Sequence, residues 1–396
     1  MLNPRFEFLP DSPFRRLDAL LAPLQPAQGL APIALSVGEP THAYPDIVGK
    51  TLAANGHLYN RYPPLTGTPE HRGAIAAWLT RRYRLPQGFI DAESMIVPLS
   101  GTREGLFMLA QAVVPQKKAG ETPLVLMPNP FYQAYVGAAL STAGEARYVA
   151  ATATNGFMPD FAGLDEATLR RAALVYLCSP SNPQGMTASP DYFDRLVALA
   201  RQYDFVLAVD ECYTEIYDRK EPQGVLEALA RSGKTDNVVA LHSLSKRSSV
   251  PGLRIGFIVG DPRVIKVFLR IRFYGAAGMP LPIEATAAAL WRDEAHVVEN
   301  RELYRKKIDA AERILSNRFG FYRPPGGFFL WLDVGDGVAA TKKAWTEAAV
   351  RVVPGEYLAR DMPGEDNPGK RYIRVALVDS LETTTEGLSR LAEVLG

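Results

Sequence analysis

Between about residues 45 and 285, short apolar runs alternate with amphipathic helical patterns. ESMIVPLS precedes TREGLFMLAQAVV, TPLVLMPNP precedes FYQAYVGAALSTAG, and AALVYLCSP precedes SPDYFDRLVALARQYD. FVLAVDECY, NVVALHSLS and RIGFIVG follow. Runs that are apolar at nearly every position are strands buried on both faces. Joined by helices, they predict a mainly parallel, doubly wound sheet. After Pro282 the texture changes. IEATAAALWRDEAHVVENRELYRKKIDAAERILSNRF reads as one long or broken helix, and GFYRPPGGFFLWLDV, RVVPGEY and KRYIRVALV supply strands. The final LETTTEGLSRLAEVLG is a helix with Ser380 or Thr383 as N-cap. The first thirty or so residues are proline-rich and predict an extended arm with one short helix. The expectation is an α/β fold in three parts. Residues 1–44 form the arm and part of a small domain, 45–285 a large domain, and 286–396 a smaller α+β domain.

In open parallel sheets, ligands bind outside the carboxyl ends of the strands. The residues that end each run therefore matter. MIVPLSG delivers Ser100, Gly101 and Thr102; LVYLCSP leads to Asn182; VLAVD ends at Asp210; VVALHSLS ends at Ser243, Ser245 and Lys246. Each has a bland structural reading: Asp210 as a helix cap, Asn182-Pro183-Gln184-Gly185 as a turn, Gly101-Thr102 as a helix start. Lys246 does not, because lysine is rarely set between a buried strand and a turn without a partner.

Composition narrows the chemistry. Hydrophobic residues make up 47% and charged residues 22% of 396, and 44 Lys+Arg against 43 Asp+Glu leave a net charge of +1. That balance gives no reason to expect nucleic acid or a membrane surface as partner. A ligand-sensing regulatory module is disfavoured on the same ground, with no DNA-binding extension recognisable. Cys178 and Cys212 are the only cysteines, and neither a C-x-x-C nor histidine ligand spacing predicts a metal site. No signal-peptide core and no membrane-length apolar run is present, so a cytoplasmic setting is expected.

Two other motifs fail on inspection. Ser243-x-x-Lys246 matches the S-x-x-K of serine acyl-enzymes, but no K-T-G accompanies it. Ser232-Gly233-Lys234-Thr235 resembles the end of a phosphate loop, but Ala228 stands where the first glycine is required.

The strand-edge set suits pyridoxal 5'-phosphate. Lys246 would hold the cofactor by a Schiff base and move the substrate Cα proton. Asp210 would pair with the pyridine nitrogen, and Asn182 and Tyr213 would bond the ring oxygen. Tyr132 would cover the ring. Gly101, Thr102 and Arg103 at a helix N-terminus, with Ser243, Ser245 and Arg254, would hold the phosphate. Arg374, in RYIRVAL, would grip a substrate α-carboxylate.

SVGEP, NRYPPLTGTPEHR, SGTREGL, PNPFYQAY, SNPQG, VDECY, SLSKRSSVPGLRIG, PPGGFFLW and RYIRVAL together resemble the class I/II aminotransferases. These are pyridoxal phosphate enzymes of the aspartate-aminotransferase fold, fold type I. The resemblance covers nearly the whole chain. It implies the roles just given for Lys246, Asp210, Tyr213, Asn182, Tyr132, Thr102, Arg103, Ser243, Ser245 and Arg254. Of Arg103 it favours the backbone N–H over the side chain. It adds Gly38 and Asn182 as substrate contacts beside Arg374. It also adds Tyr62, matching a tyrosine that reaches the phosphate of the neighbouring subunit, and hence a homodimer with the arm laid on the partner. LSVGEPTH, GTPEHR and VVPGEYLAR further resemble the N-succinyldiaminopimelate aminotransferase branch. That implies L-glutamate as amino donor and N-succinyl-2-amino-6-oxopimelate as acceptor, with Arg61, Arg103 and Arg272 as further cationic contacts. The alternatives are another amino acid substrate (aspartate, alanine or aromatic) or a carbon–sulfur β-lyase on the same cofactor.

Overall fold

Strands that are apolar on both faces need a layer of helices on each side, and the two layers form from alternate residues. The computed structural model describes residues 4–396 except 10, 363 and 365, so four positions of the expected arm (1–3 and 10) lie outside the described residues. The strands are β1 (Ile33–Ala34), β2 (Ile96–Leu99), β3 (Leu124–Asn129), β4 (Glu145–Ala150), β5 (Ala172–Cys178) and β6 (Val206–Asp210). They continue with β7 (Val238–Ser243), β8 (Gly256–Gly260), β9 (Phe329–Asp333), β10 (Val350–Arg351), β11 (Val353–Pro354) and β12 (Tyr372–Ala376).

Seven of these form one sheet in the order β2-β8-β7-β6-β5-β3-β4. Leu124, Leu126, Val175, Leu177, Leu207 and Val209 face one core. Their neighbours Val125, Met127, Leu174, Tyr176, Val206 and Ala208 face the other. The sheet is parallel except at β8, which runs antiparallel to both β2 and β7. The β7–β8 connection holds only a four-residue helix (Leu244–Arg247) and a 3-10 turn (Pro251–Leu253), with no crossover helix to return the chain. β4 was not expected from the sequence. It is one of the two edge strands and, unlike the buried edge strand β2, is half-exposed through Glu145 and Arg147, so it lacks the apolar run that marks the others.

A second, antiparallel sheet, β11-β12-β9, packs with the helices Ala295–Leu315, Gly337–Ala348 and Leu381–Leu395. The predicted N-cap is Ser380, whose hydroxyl accepts from the Thr383 amide. β1 pairs with β10, which ties the residues after the arm into this smaller unit. The arm itself lies on its own chain. Leu17 and Leu21 of the helix Pro13–Leu21 pack with Trp331, Val353 and Leu358, because the apolar stripe of that helix finds cover there. Laying this segment on a partner is therefore not needed to bury it.

The long helical stretch is broken, as one of its two expected forms, into Leu281–Arg292 and Ala295–Leu315. The first packs Ala287, Ala288, Leu290 and Trp291 into a core of the large sheet. The second packs Tyr304, Ile308, Ala311 and Leu315 into the small unit. The expected boundary after residue 285 falls inside the first helix. On this packing we propose to place it between Asp293 and Glu294. Trp291 is fully buried, 4.7 Å from Trp78 and 5.1 Å from Phe257 between ring centroids. Trp291→Ala should lower stability to urea by about 3–5 kcal/mol. A loss below about 1 kcal/mol would show that this helix is not part of the large core.

Candidate active site

The carboxyl ends of β2, β5, β6 and β7 lie along one edge of the large sheet, and the small unit closes over that edge. Between them is a cavity of about 290 Å³. Its wall includes Gly38, Thr102, Arg103, Tyr132, Asn182, Asp210, Tyr213, Ser243, Ser245, Lys246, Arg254 and Arg374. Residues from eight separate stretches of sequence thus meet at one cavity. Tyr62 does not join them; it is 101% exposed. Arg61 is also exposed, away from the wall. Arg272 is buried elsewhere, donating to the carbonyls of Leu65 and Pro98 and pairing with Glu104. Its cation is already satisfied, so it is unsuited to a substrate. Of the three extra arginines, only Arg103 lines the cavity.

Lys246 sits on the short helix after β7, and its Nζ donates to the Gly38 carbonyl at 2.6 Å. The Nζ also lies 5.4 Å from the Phe328 ring centroid. Although the side chain reaches the cavity, protein surrounds most of it. Burial lowers the ammonium to about 8, Cys212 and Glu39 oppose that, and Arg374 and Arg254 add to it. Gly38 has no room for a side chain, since a Cβ there would lie 2.4 Å from the Phe329 ring.

Asp210 ends β6 and is buried. It accepts from the Tyr135 hydroxyl at 3.0 Å and the Cys212 amide at 3.3 Å. Burial pushes its carboxyl up, and these two partners pull it down. Tyr135 and Cys212 were missed by the sequence reading. Tyr135 carried one usable signal: it follows Tyr132 by three at a helix start, so both point the same way. Tyr213 is buried, 3.4 Å from Asn182 Nδ2. Asn182 Oδ1 accepts from Arg374 Nη1 at 3.1 Å.

Arg374, on β12, is buried and also donates to the Ser36 carbonyl at 2.7 Å. Its guanidinium lies 4.4 Å from the Phe329 ring centroid. Its Nε is buried with no acceptor among the described residues. Burial lowers Arg374 to about 10, with Tyr213 opposing. No carboxylate lies within 4 Å of it among the described residues. A buried, unpaired guanidinium of this kind is poised for an incoming carboxylate.

The phosphate cup can be tested for fit. Gly101 precedes the helix Thr102–Val113 with a left-handed φ of 86°, and a Cβ there would lie 2.3 Å from Arg254 Nη2. The missing side chain lets the Arg254 guanidinium lie against the helix N-terminus, which joins a cation to free backbone N–H groups. Thr102 and Ser245 add hydroxyls to the same wall. Ser243 contributes differently: its hydroxyl donates to the Ile255 carbonyl and accepts from the Ser245 amide. It shapes the turn and offers no free proton. Arg103 Nε donates to the Tyr132 hydroxyl at 2.6 Å, so this side chain positions Tyr132. Cys212 Sγ lies 3.1 Å from the Thr102 hydroxyl. An amine, a buried carboxylate, a ring-covering tyrosine and an anion cup fit a phosphorylated pyridine aldehyde.

The competing motif is accounted for. Gly233 ends the helix Val225–Ser232 in a left-handed C-cap, so Ser232–Thr235 is a helix terminus and not a phosphate loop.

Comparison with known proteins agrees with this geometry. The model of the family described as aminotransferase class I and II matches residues 31–391. An aminotransferase structure from Neisseria meningitidis is 38% identical and superposes with a TM-score of 0.94, over 100% of each chain. The LL-diaminopimelate aminotransferase of Syntrophobacter fumaroxidans is 30% identical over 399 residues, 98% of each chain. A probable N-succinyldiaminopimelate aminotransferase from Thermus thermophilus superposes with a TM-score of 0.85 over 97% of this chain and 100% of that one. At 24% identity it bears on fold alone. The chain belongs to the class I and II aminotransferases, enzymes that depend on pyridoxal 5'-phosphate.

Proposed function

We propose that this enzyme moves an amino group between L-glutamate and N-succinyl-2-amino-6-oxopimelate, with Lys246 as the cofactor lysine. The observation that carries the reaction is the meeting of Lys246, Asp210 and Arg374 at one cavity. The substrate rests on the sequence blocks that resemble the succinylated branch, and a relative at 30% identity, an LL-diaminopimelate aminotransferase, supports the diaminopimelate skeleton. That relative's name also motivates a second reading, in which the unsuccinylated LL-diaminopimelate is the amino donor.

Each residue has a task its surroundings suit. When bound, pyridoxal phosphate supplies an aldehyde carbon that takes up the amino group and a ring that spreads charge from the substrate Cα. Arg254, Thr102, Ser245 and the N–H groups after Gly101 would hold its phosphate. Asp210 would pair with the ring nitrogen, and Tyr135 and Cys212 keep that carboxylate in place. Asn182 and Tyr213 would bond the ring oxygen, and Tyr132 would cover the ring. Arg374 and the Gly38 backbone would orient the substrate α-carboxylate, leaving the Cα proton within reach of Lys246 Nζ. Lys246 then carries that proton, a role that needs an amine accessible near neutral pH. The lowered value of about 8 provides one.

We infer a homodimer whose sites lie at the interface. Tyr62 at 101% and Tyr274 at 88% exposure are large aromatic side chains with no cover in one chain. A second copy would bury them and carry Tyr62 to the partner's phosphate.

Purified enzyme should be yellow, and L-glutamate should shift its visible absorbance. Lys246→Ala should cut turnover by roughly 10⁴-fold, and near-normal turnover in that variant would sink the assignment. Among oxo-acid and amino-acid pairs, N-succinyl-2-amino-6-oxopimelate with L-glutamate should give the highest kcat/KM. Preference for LL-diaminopimelate would select the second reading, and pyruvate and ammonia from cystathionine the lyase. Sedimentation should show a dimer, and Tyr62→Phe should weaken cofactor retention roughly tenfold, the loss of one charge-assisted hydrogen bond. A monomer with full activity would refute the shared site. In the cofactor-free chain, labelling of Lys246 by an amine-selective reagent should rise as pH passes through about 8, since only the free amine reacts. A midpoint near the ordinary 10.5 would show that the lysine is not desolvated.

A further inference from the structure

The Lys246 peptide is held from outside the cavity by a buried chain of polar groups that the reaction scheme does not use. Asn300, Tyr304 and Lys307 share one face of the helix Ala295–Leu315. Asn300 Nδ2 donates to the carbonyl oxygens of Lys246 at 3.0 Å and Arg247 at 3.2 Å. Its Oδ1 accepts from His42 Nδ1 at 2.8 Å and from the Ser249 hydroxyl at 3.1 Å. His42 Nε2 lies 2.7 Å from Lys307 Nζ, which also donates to the Leu377 carbonyl at 3.2 Å.

The direction of these bonds follows from donor chemistry. An ammonium only donates, so His42 Nε2 accepts and Nδ1 carries the single ring proton. The neutral imidazole is thereby fixed in one tautomer, pointing its proton at Asn300. Lys307 is 2% exposed and has no carboxylate within 4 Å among the described residues. A buried lysine without an ion pair is costly, and its best compensation here is the imidazole nitrogen. Leu377 follows the β12 strand that bears Arg374. The chain therefore joins the backbone at Lys246 to the strand of Arg374, across the boundary between the two units.

We propose that Lys307 and His42 are positioning residues for transamination: through Asn300 they fix the Lys246 peptide against the Arg374 strand, and a proton on His42 Nε2 cuts the link to Lys307, leaving Asn300 and the peptide it holds untied from that strand. This rests on the reading of Lys246 as the cofactor lysine. His42 is faced by Lys307 and the Tyr304 ring from the helix and by Asn300. Asp46, His296 and Glu299 line the adjoining cavity with it, and Asp379 acts on Lys307 from beyond β12. Burial holds His42 below its ordinary 6.5, the Asn300 bond opposes this, and the Lys307 charge adds to it. The neutral, connected form therefore prevails at neutral pH and is lost as pH falls below 6.5. On the alkaline side, burial lowers Lys307 to about 8, but a neutral amine still donates to both acceptors. Only the acid side breaks the chain.

The test compares wild-type holoenzyme with Lys307→Met and His42→Gln from about pH 5 to about pH 9, a range that spans histidine titration. Two readouts are taken: kcat and KM, and amide hydrogen-exchange protection factors over residues 244–249. Wild type should lose kcat and protection together below pH 6.5. His42→Gln, whose amide can donate to Asn300 and accept from Lys307 but cannot titrate, should keep neutral-pH activity and lose the acid limb. Lys307→Met should lower kcat about ten- to a hundredfold with KM little changed, and lower protection at every pH. An acid limb that persists in His42→Gln would overturn the proposal, as would wild-type protection and kcat in Lys307→Met. If Lys307→Met does not fold, the His42→Gln profile decides alone. Failure of wild type to take up cofactor would instead sink the reading of Lys246, and it is told apart because protection is measured on the chain itself.

Discussion

Four cations, Arg103, Lys246, Arg254 and Arg374, line a cavity whose wall carries one acid among the described residues, Asp210. Everything about the site follows from that imbalance. The groups that meet the cations are neutral: the carbonyls of Gly38, Pro251 and Ser36, the Asn182 amide and the Tyr132 hydroxyl. Such partners satisfy N–H donors but cannot cancel charge. Arg103 and Arg254 reach solvent, whereas Lys246 and Arg374 are largely enclosed, and a desolvated cation without a counter-ion costs several kcal/mol, so negative charge brought beside those two is stabilising. A phosphate dianion on the Arg254 side and a carboxylate on the Arg374 side meet that demand. Asp210 is set apart by the same logic, since its carboxylate calls for a cation such as a protonated ring nitrogen.

Holding like charges close together requires a stiff frame, and the two cores supply it. Lys246 and Arg254 stand on the large sheet and Arg374 on the small one, so their spacing depends on the junction between units. The chain after Asp210 crosses that junction under a second buried network. Glu215 accepts from Arg82 of the helix Pro69–Arg82 at 2.6 Å, and from Arg301 of the helix Ala295–Leu315 at 3.3 Å. Burial pushes the Glu215 carboxyl up, but Arg82, Arg247 and Arg301 hold it below the usual range. Each unit therefore contributes an arginine to one shared carboxylate. The Asn300–His42–Lys307 chain crosses the same boundary nearer to Lys246. Ion pairs bridge the junction at Glu215, and hydrogen bonds bridge it at Asn300, His42 and Lys307.

What could be read from the sequence was what strands announce about themselves. Apolar runs located six of the seven large-sheet strands, and their last residues named Asp210, Asn182, Ser243 and Lys246, because a strand end fixes where the next side chain stands. The edge strand β4 was silent because half its residues face water. β8 was located but not its reversal, because an apolar run has no direction. Arg272 was misread as a substrate contact since its acceptors are backbone carbonyls of Leu65 and Pro98, which no side-chain pattern reports. Cys212 and Tyr135 were missed because the contacts that mark them, both to Asp210, form only in the folded chain. Pro13 and Phe14, at the far end of the chain from Arg374, reach the cavity only through tertiary packing of the arm.

A net charge of +1 gives the whole molecule little long-range attraction for anions, so charge selection rests on the cations at the cavity itself. The apolar part of the wall makes contact decisive. Pro13, Phe14, Val37, Phe131 and Leu358 line the same cavity as Lys246 and Arg374, the two cations that burial desolvates. In that setting, an ionic contact is worth more than at the surface, and its absence costs more. A competitor lacking the α-carboxylate would leave Arg374 buried and unpaired, a penalty far larger than the loss of one methylene contact. The desolvation that brings Lys246 to about 8 and Arg374 to about 10 is therefore the same property that, in the proposed function, would let the site read carboxylates. On the proposed reading, reactivity and selectivity are two consequences of the same two enclosed cations, Lys246 and Arg374.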